Sequence, residues 1–164
     1  MEKENTYIEN AETFIWQILE TVCDPEVPVL SILDLGIVRK VAVAENEVVI
    51  TITPTYTGCP AMDMISMNIR FALIEKGIKN IKIITTLSPA WTTDWMTESG
   101  KKKLLEYGIA PPKGNAEDIA TNGIECPQCQ SINTILISQF GSTACKALYK
   151  CNDCLEPFDY FKCY

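Results

Sequence analysis

Between Ile8 and Val22 the apolar residues Ile8, Ala11, Ile15, Ile18, Leu19 and Val22 recur at three- and four-residue steps, the period of one helix face. Cys23-Asp24-Pro25 ends that run, and Asp34 to Gly36 reads as a turn. Ile37 to Ala44 and Val48 to Thr53 then read as two strands joined at Glu45-Asn46-Glu47, a hairpin. Cys59-Pro60 precedes a second helical pattern, Met62, Ile65, Ile69, Ala72 and Leu73, with Gly77 placed as its C-terminal cap. Ile81 to Leu87 supplies a third strand. Asp94 to Tyr107 holds a shorter helix capped by Thr97, with Leu104 and Leu105 facing inward and Gly108 ending it; Gly100 lowers its propensity. Pro111-Pro112-Lys113-Gly114-Asn115 is a breaker cluster, and the polar stretch through Asn122-Gly123 reads as a linker. Beyond it, Asn133 to Phe140 and Ala144 to Lys150 form a hairpin about Gly141-Ser142, and Phe158 to Cys163 adds a third strand. The pattern implies an α+β protein, with a small α/β domain over residues 1–114 and a β-rich module over 115–164.

The second module carries the strongest chemical signal. Cys126 and Cys129 in C-P-Q-C, and Cys151 and Cys154 in C-N-D-C, are two chelating turns whose spacing suits one tetrahedral zinc ion. A closed shell of four thiolates leaves no position for substrate, so such a site is structural. The interval from Gln130 to Lys150 is 21 residues, beyond the usual range of about 15–20, and so should hold a hairpin. Four unmetallated thiols are a poor alternative, because little else in so short a segment supplies a core.

Composition narrows the function classes. The 164 residues are 47% apolar, ample for a core. The start Met1-Glu2-Lys3-Glu4-Asn5 lacks the basic and apolar regions of a signal peptide, and no run approaches the ~20 apolar residues of a membrane span. The expectation is a soluble cytoplasmic protein with reduced thiols, without membrane contact. Net charge is −7, and residues 115–164 hold 6 acidic against 3 basic side chains. Backbone binding to nucleic acid needs Lys and Arg against phosphates, so protein partners are expected instead. The chain contains no histidine. That absence removes Cys-His and Ser-His nucleophile pairs, histidine general bases and the histidine ligands of most catalytic metal sites, so no enzyme is expected.

Outside the knuckles, Cys59 stands out, because Pro60 suits the first helical position and places the thiol at the cap, where unpaired N–H groups favour a thiolate. Asp63, one turn on, opposes this; the alternative for a lone cysteine is burial as a small hydrophobe. Asp24 and Glu26 bracket Pro25 and could supply hard oxygen ligands or close a turn, whereas Asp34 beside Gly36 reads as turn chemistry. Trp91, Trp95 and Met96 read as packing anchors, and Tyr149, Phe158, Tyr160 and Phe161 as cover for the ribbon's apolar face. Cys23, Cys145 and Cys163 read as packed thiols.

The segment Asp24-Pro25-Glu26-Val27-Pro28, then Ser31 to Val38, with Thr57-Gly58-Cys59-Pro60 after the hairpin, resembles the metal–sulfur cluster biosynthetic domain family. The resemblance implies a small α/β fold like iron–sulfur cluster assembly domains, with the family's cysteine at Cys59 and its acidic motif at Asp24 and Glu26. Thr55-Tyr56-Thr57 departs from the small or apolar residues common there, which bears on access to the thiol. Pro89 to Thr97, Tyr107 to Pro112, and the ribbon from Phe140 through Cys163 extend the similarity to the PaaD family, also called PaaJ. That similarity implies a non-catalytic accessory component of the phenylacetyl-CoA ring-epoxidising oxygenase of aerobic phenylacetate degradation. It would assist assembly or metallation, with transient iron or iron–sulfur contact at Cys59, Asp24 and Glu26 and structural zinc at Cys126, Cys129, Cys151 and Cys154. Its partners would be the protein components of that complex, with room for a homo-oligomer. A stable structural subunit is the alternative, and a nucleic-acid-binding zinc ribbon ranks last.

Overall fold

The N-terminal helical period becomes α1, Glu2–Glu20, in the computed structural model, which describes residues 2–44, 47–113 and 123–162 and the side chains from residue 11 onward. Ile15, Ile18 and Leu19 bury one face of it. Each such aliphatic chain contributes about 1.5–3 kcal/mol when removed from water, so packing rather than propensity holds the helix. The chain then runs through buried Val27, Leu30, Ile32 and Leu35 into β1, Val38–Ala44, and β2, Glu47–Ile52, paired antiparallel. The expected hairpin turn at Glu45-Asn46 lies outside the described residues. Along β2 the inward positions are Val48, Ile50 and Ile52, the two-residue alternation of a sheet with one face covered.

Helix α2, Ala61–Glu75, carries the chain back across so that β3, Ile81–Thr85, lies parallel to β2 in a sheet of order β1-β2-β3. It buries Ala61, Ile65, Ile69 and Leu73 at four-residue steps. Its end is set by Gly77 at φ +86°: the N–H of Gly77 donates to the Ile74 carbonyl (2.9 Å) and that of Ile78 to the Leu73 carbonyl (3.0 Å), a Schellman closure. Trp91 is buried, and its indole N–H donates to the Leu35 carbonyl at 2.8 Å. It is the last residue of the first of two compact units, 1–91 and 92–164.

In the second unit a 3-10 turn, Thr93–Trp95, leads to α3, Glu98–Glu106. The Thr97 hydroxyl accepts the Gly100 N–H at 2.9 Å, the expected cap. Leu104 is buried but Leu105 is exposed, correcting the expectation that both face inward; adjacent residues on a helix point about 100° apart. Strands β4, Ile109–Ala110, β5, Thr134–Ser138, β6, Lys146–Cys151, and β7, Pro157–Phe161, form a sheet of order β4-β7-β6-β5, with β4 parallel to β7 and the other pairs antiparallel. Residues 92–113, which the sequence pattern groups with the first domain, therefore sit with the ribbon, because β4 pairs with β7. The expected linker at 114–122 and Cys163 lie outside the described residues. The ribbon core gathers Ala110, Ile124, Ala147, Phe158 and Tyr160 around Cys126 and Cys151. Tyr149 stacks on Phe158 at 5.9 Å and meets Tyr160 edge-on at 5.8 Å, the aromatic cover the sequence suggests. Among the described residues, no helix is long and apolar enough to cross a membrane.

Candidate functional site

Both knuckles are built the same way from different residues. The N–H of Cys126 donates to the Ser131 carbonyl at 2.9 Å, and that of Cys151 to the Glu156 carbonyl at 3.0 Å, so each turn closes over six residues. In each, the residue after the second cysteine is left-handed: Gln130 at φ 63° and Leu155 at φ 68°. That conformation costs a residue with a Cβ about 1–2 kcal/mol, a strain the rest of the turn must hold. The two turns are clasped by Asp153, which accepts from the Ser131 hydroxyl and from the Asn133 amide (2.8 Å), and by Asn152, whose amide donates to Asn133 at 3.0 Å.

The four sulfurs of Cys126, Cys129, Cys151 and Cys154 all lie within 4.8 Å of one another. Cys126 and Cys154 are 3.6 Å apart, and Cys129 and Cys151 3.5 Å. Bonds of about 2.3 Å to a tetrahedral ion set sulfurs about 3.8 Å apart, so this donor set fits one metal. The same spacing is far from a disulfide bond of about 2.05 Å, and none of the described cysteines is in a disulfide. Thiols so close do not titrate independently. The backbone N–H of Cys154, pointing at the Cys151 sulfur from 3.5 Å, leads the groups that lower Cys151 to about 7. Cys154 is pushed up to about 12: the Glu156 N–H favours its thiolate, but burial and the three neighbouring thiols outweigh it. A metal ion held by Cys126, Cys129, Cys151 and Cys154 would resolve this conflict by replacing the protons the four sulfurs compete to hold.

In the first unit, Pro60 is the cap residue of α2, at φ −69° and already helical, so Cys59 sits one position further out than expected. Its carbonyl accepts the Met62 N–H at 3.3 Å, so it still borders the first turn. The thiol is half-buried, and that burial raises it above its ordinary value. The Ala61 N–H and the side chains of Thr55 and Tyr56 favour the thiolate without winning, and the Glu26 carboxylate works against it. The expected low-pKa thiolate is thus corrected, because desolvation exceeds the stabilisation at the helix start. Asp24 is buried, and its Oδ1 accepts the N–H groups of Glu26 (2.7 Å) and Val27 (2.8 Å), closing the turn that places Glu26 near Cys59. Asp34 and Ser31 cap each other reciprocally, at 3.1 and 3.0 Å, as turn chemistry requires. Among the described residues, Asp24, Glu26 and Cys59 do not form a group of three close donors; the four knuckle cysteines do.

Cys23 is exposed, correcting the expectation that it packs; its backbone bridges Ser31, and its chain neighbours Val22 and Asp24 are the buried ones. Cys145 is buried as expected, its sulfur 3.0 Å from the Thr143 hydroxyl. The departure at Thr55-Tyr56-Thr57 puts the Thr55 and Tyr56 side chains beside the Cys59 thiol, whereas no local pattern signals that the buried hydroxyl of Thr53, just before them, lacks a partner.

Comparison with known proteins bears on both units. Residues 110–162 match the PaaD zinc beta ribbon domain, and residues 12–82 match the iron-sulfur cluster assembly protein family. The chain is 51% identical over 150 residues, 91% of each protein, to an Escherichia coli (strain K12) protein described as a putative subunit of 1,2-phenylacetyl-CoA epoxidase. It is 37% identical over 107 residues, 64% of this chain and 97% of the other, to the "Fe-S protein maturation auxiliary factor" of Porphyromonas gingivalis (strain ATCC BAA-308 / W83). A solved structure of a domain of unknown function, DUF59, from Bacillus anthracis superposes with a TM-score of 0.58 at 30% identity, covering 61% of this chain and 96% of that one.

Proposed function

Because the chain belongs to the PaaD family, in which an iron–sulfur assembly domain is joined to a zinc β ribbon, we propose that it is a non-catalytic maturation factor for a phenylacetyl-CoA-epoxidising oxygenase. The first unit offers Cys59 to iron or an iron–sulfur cluster in transit, with Glu26 beside it, while the ribbon docks the client. One observation carries this reading: a half-buried thiol beside the start of α2 in one unit, and four thiols close enough to share one ion in the other. A thiol above its ordinary pKa holds its proton until a cation displaces it, which suits brief contact better than permanent ligation. Cys126, Cys129, Cys151 and Cys154 would hold zinc, whose chemistry there is to fix the ribbon's shape, since four protein ligands leave no open position.

Cys59→Ala, co-expressed with the oxygenase components, is expected to fold normally and to lower the iron found per oxygenase. Full iron loading would refute the role of the thiol. Elemental analysis of the same chain separates zinc from iron in the ribbon: one zinc per chain that survives Cys59→Ala supports the assignment. Partial burial of Cys59 favours a second reading, a stable structural subunit with a merely packed thiol. Stoichiometric co-elution with the oxygenase on size exclusion supports that reading; transient association supports the maturation factor.

A further inference from the structure

Helix α2 carries a second apolar row on the side away from its buried residues. Met64, Met67, Phe71 and Ile74 are 45%, 46%, 59% and 50% exposed. They follow one another at steps of three, four and three residues, the a and d spacing of a coiled-coil seam, and fall within an arc of about 80° around the helix. A helix on a domain surface needs one apolar face, and Ile65, Ile69 and Leu73 already supply it. The four exposed side chains leave roughly 400 Å² of apolar surface uncovered, a patch in the size range that is often functional. Asp63 and Arg70 flank the row on one side and Asn68 and Glu75 on the other, the g and e positions of the same seam.

From this row we infer that two copies of the chain associate through α2, the helices parallel about a two-fold axis, so that each seam residue meets its own copy. The flanking side chains select a second copy in this register. In a parallel pair a g position faces the e position five residues further on in the partner. That sets Arg70 against Glu75 of the partner subunit and Asp63 against Asn68 of the partner subunit, twice over by symmetry, and no like charges meet across the seam. An antiparallel pair about the middle of the row would instead bring the two Arg70 side chains together. Arg70 is already held beside β3 by its bond to the Ile81 carbonyl (2.8 Å), and its planar fork has further N–H groups to donate. The helix is folded in each monomer, so pairing requires little new ordering. Helices side by side bury the whole row, and two rows of roughly 400 Å² together with the stems of Arg70 and Glu75 reach the ~1,000 Å² at which a specific interface begins. The net charge of −7 on each chain works against the pair, which is therefore of modest affinity and needs salt to screen that repulsion.

Sedimentation velocity on the full metal-loaded chain tests this, at about 0.15 M salt and over about 1–200 µM, the range in which so small an interface dissociates. The wild-type chain is expected to pass from monomer to dimer. Phe71→Glu, at an exposed position that leaves the core untouched, is expected to raise the dissociation constant at least about tenfold. Glu75→Arg sets like charges against Arg70 and should weaken the dimer about fivefold, and the double variant Arg70→Glu/Glu75→Arg should restore it, which no other register predicts. A far-ultraviolet signal equal to that of the wild-type chain shows that each variant is folded. A wild-type chain that stays monomeric throughout overturns the proposal, and so does a dimer that Phe71→Glu leaves intact, or a double variant no tighter than Glu75→Arg. A chain that never dimerises but loses co-elution with the oxygenase in Phe71→Glu also overturns it and gives the row to another protein. The dimer does not rest on the maturation reading: a monomeric Phe71→Glu chain that still supports iron loading separates the two.

Discussion

Replacing Glu26 with Gln removes one negative charge beside Cys59 at nearly constant shape and asks what sets the state of that thiol. Burial is the largest influence and acts upward, the Ala61 N–H and the Thr55 hydroxyl act downward, and the Glu26 carboxylate adds to the rise. A thiol at the ordinary 9.0 is about 3% ionised at pH 7.5, and Cys59 lies below that fraction because its value is raised. Glu26→Gln is expected to move the titration of Cys59 downward, and Thr55→Val, which deletes a bond to the thiolate, to move it upward. The assay is alkylation by iodoacetamide as a function of pH, read at the Cys59 peptide by mass spectrometry, with exposed Cys23 as the control for reagent access. A wild-type midpoint at or below 9.0, or an upward shift in Glu26→Gln, refutes the reasoning. If Cys59 takes up a cation as proposed, that cation must expel a proton, so capture should improve as pH rises through the neutral range.

Stripping the metal with a chelator is expected to unfold the ribbon, seen as loss of the near-ultraviolet signal of Tyr149, Phe158 and Tyr160, while the far-ultraviolet helical signal of α1 and α2 persists; a ribbon that keeps its tertiary signal without metal would contradict the four-thiol assignment. Leu155→Gly relieves a left-handed residue at φ 68° and should tighten zinc binding about fivefold, the equivalent of about 1 kcal/mol; unchanged or weaker binding in a competition titration counts against strain at that position. Gly141→Ala places a methyl group into the Asp159 carboxylate, whose oxygens hold the Ser142 N–H (3.4 Å) and hydroxyl (2.7 Å), and should cost about 1–3 kcal/mol in thermal or denaturant unfolding; an unaltered melting curve would show that Asp159 can move aside freely.

What the chain announces in advance is what depends on neighbours within a turn or two. The helices at Glu2–Glu20 and Ala61–Glu75, the hairpin of β1 and β2, the Gly77 closure, the Thr97 cap and both knuckles all rest on spacings of two to five residues, and each was legible. Pairings between distant segments were not: the parallel match of β4 with β7 is two residues long, too short to leave a periodic trace, yet it assigns 92–113 to the ribbon. Helix α2 shows what spacing adds to composition: Met64, Met67, Phe71 and Ile74 are as apolar as the residues it buries, yet the period through Ile65, Ile69 and Leu73 picks out the buried face.

Cys59 separates the two kinds of information most sharply. Its place beside a helix start follows from the next residue, Pro60, whereas its protonation depends on Glu26 and Thr55, brought to it by the Asp24 turn and by the end of β2. The sequence could locate the thiol; only the assembled fold shows that burial outweighs the helix start. The protonation of Cys59 is therefore set jointly by Thr55 and by Glu26 of the acidic motif, so a change at either position alters the thiol without touching the cysteine.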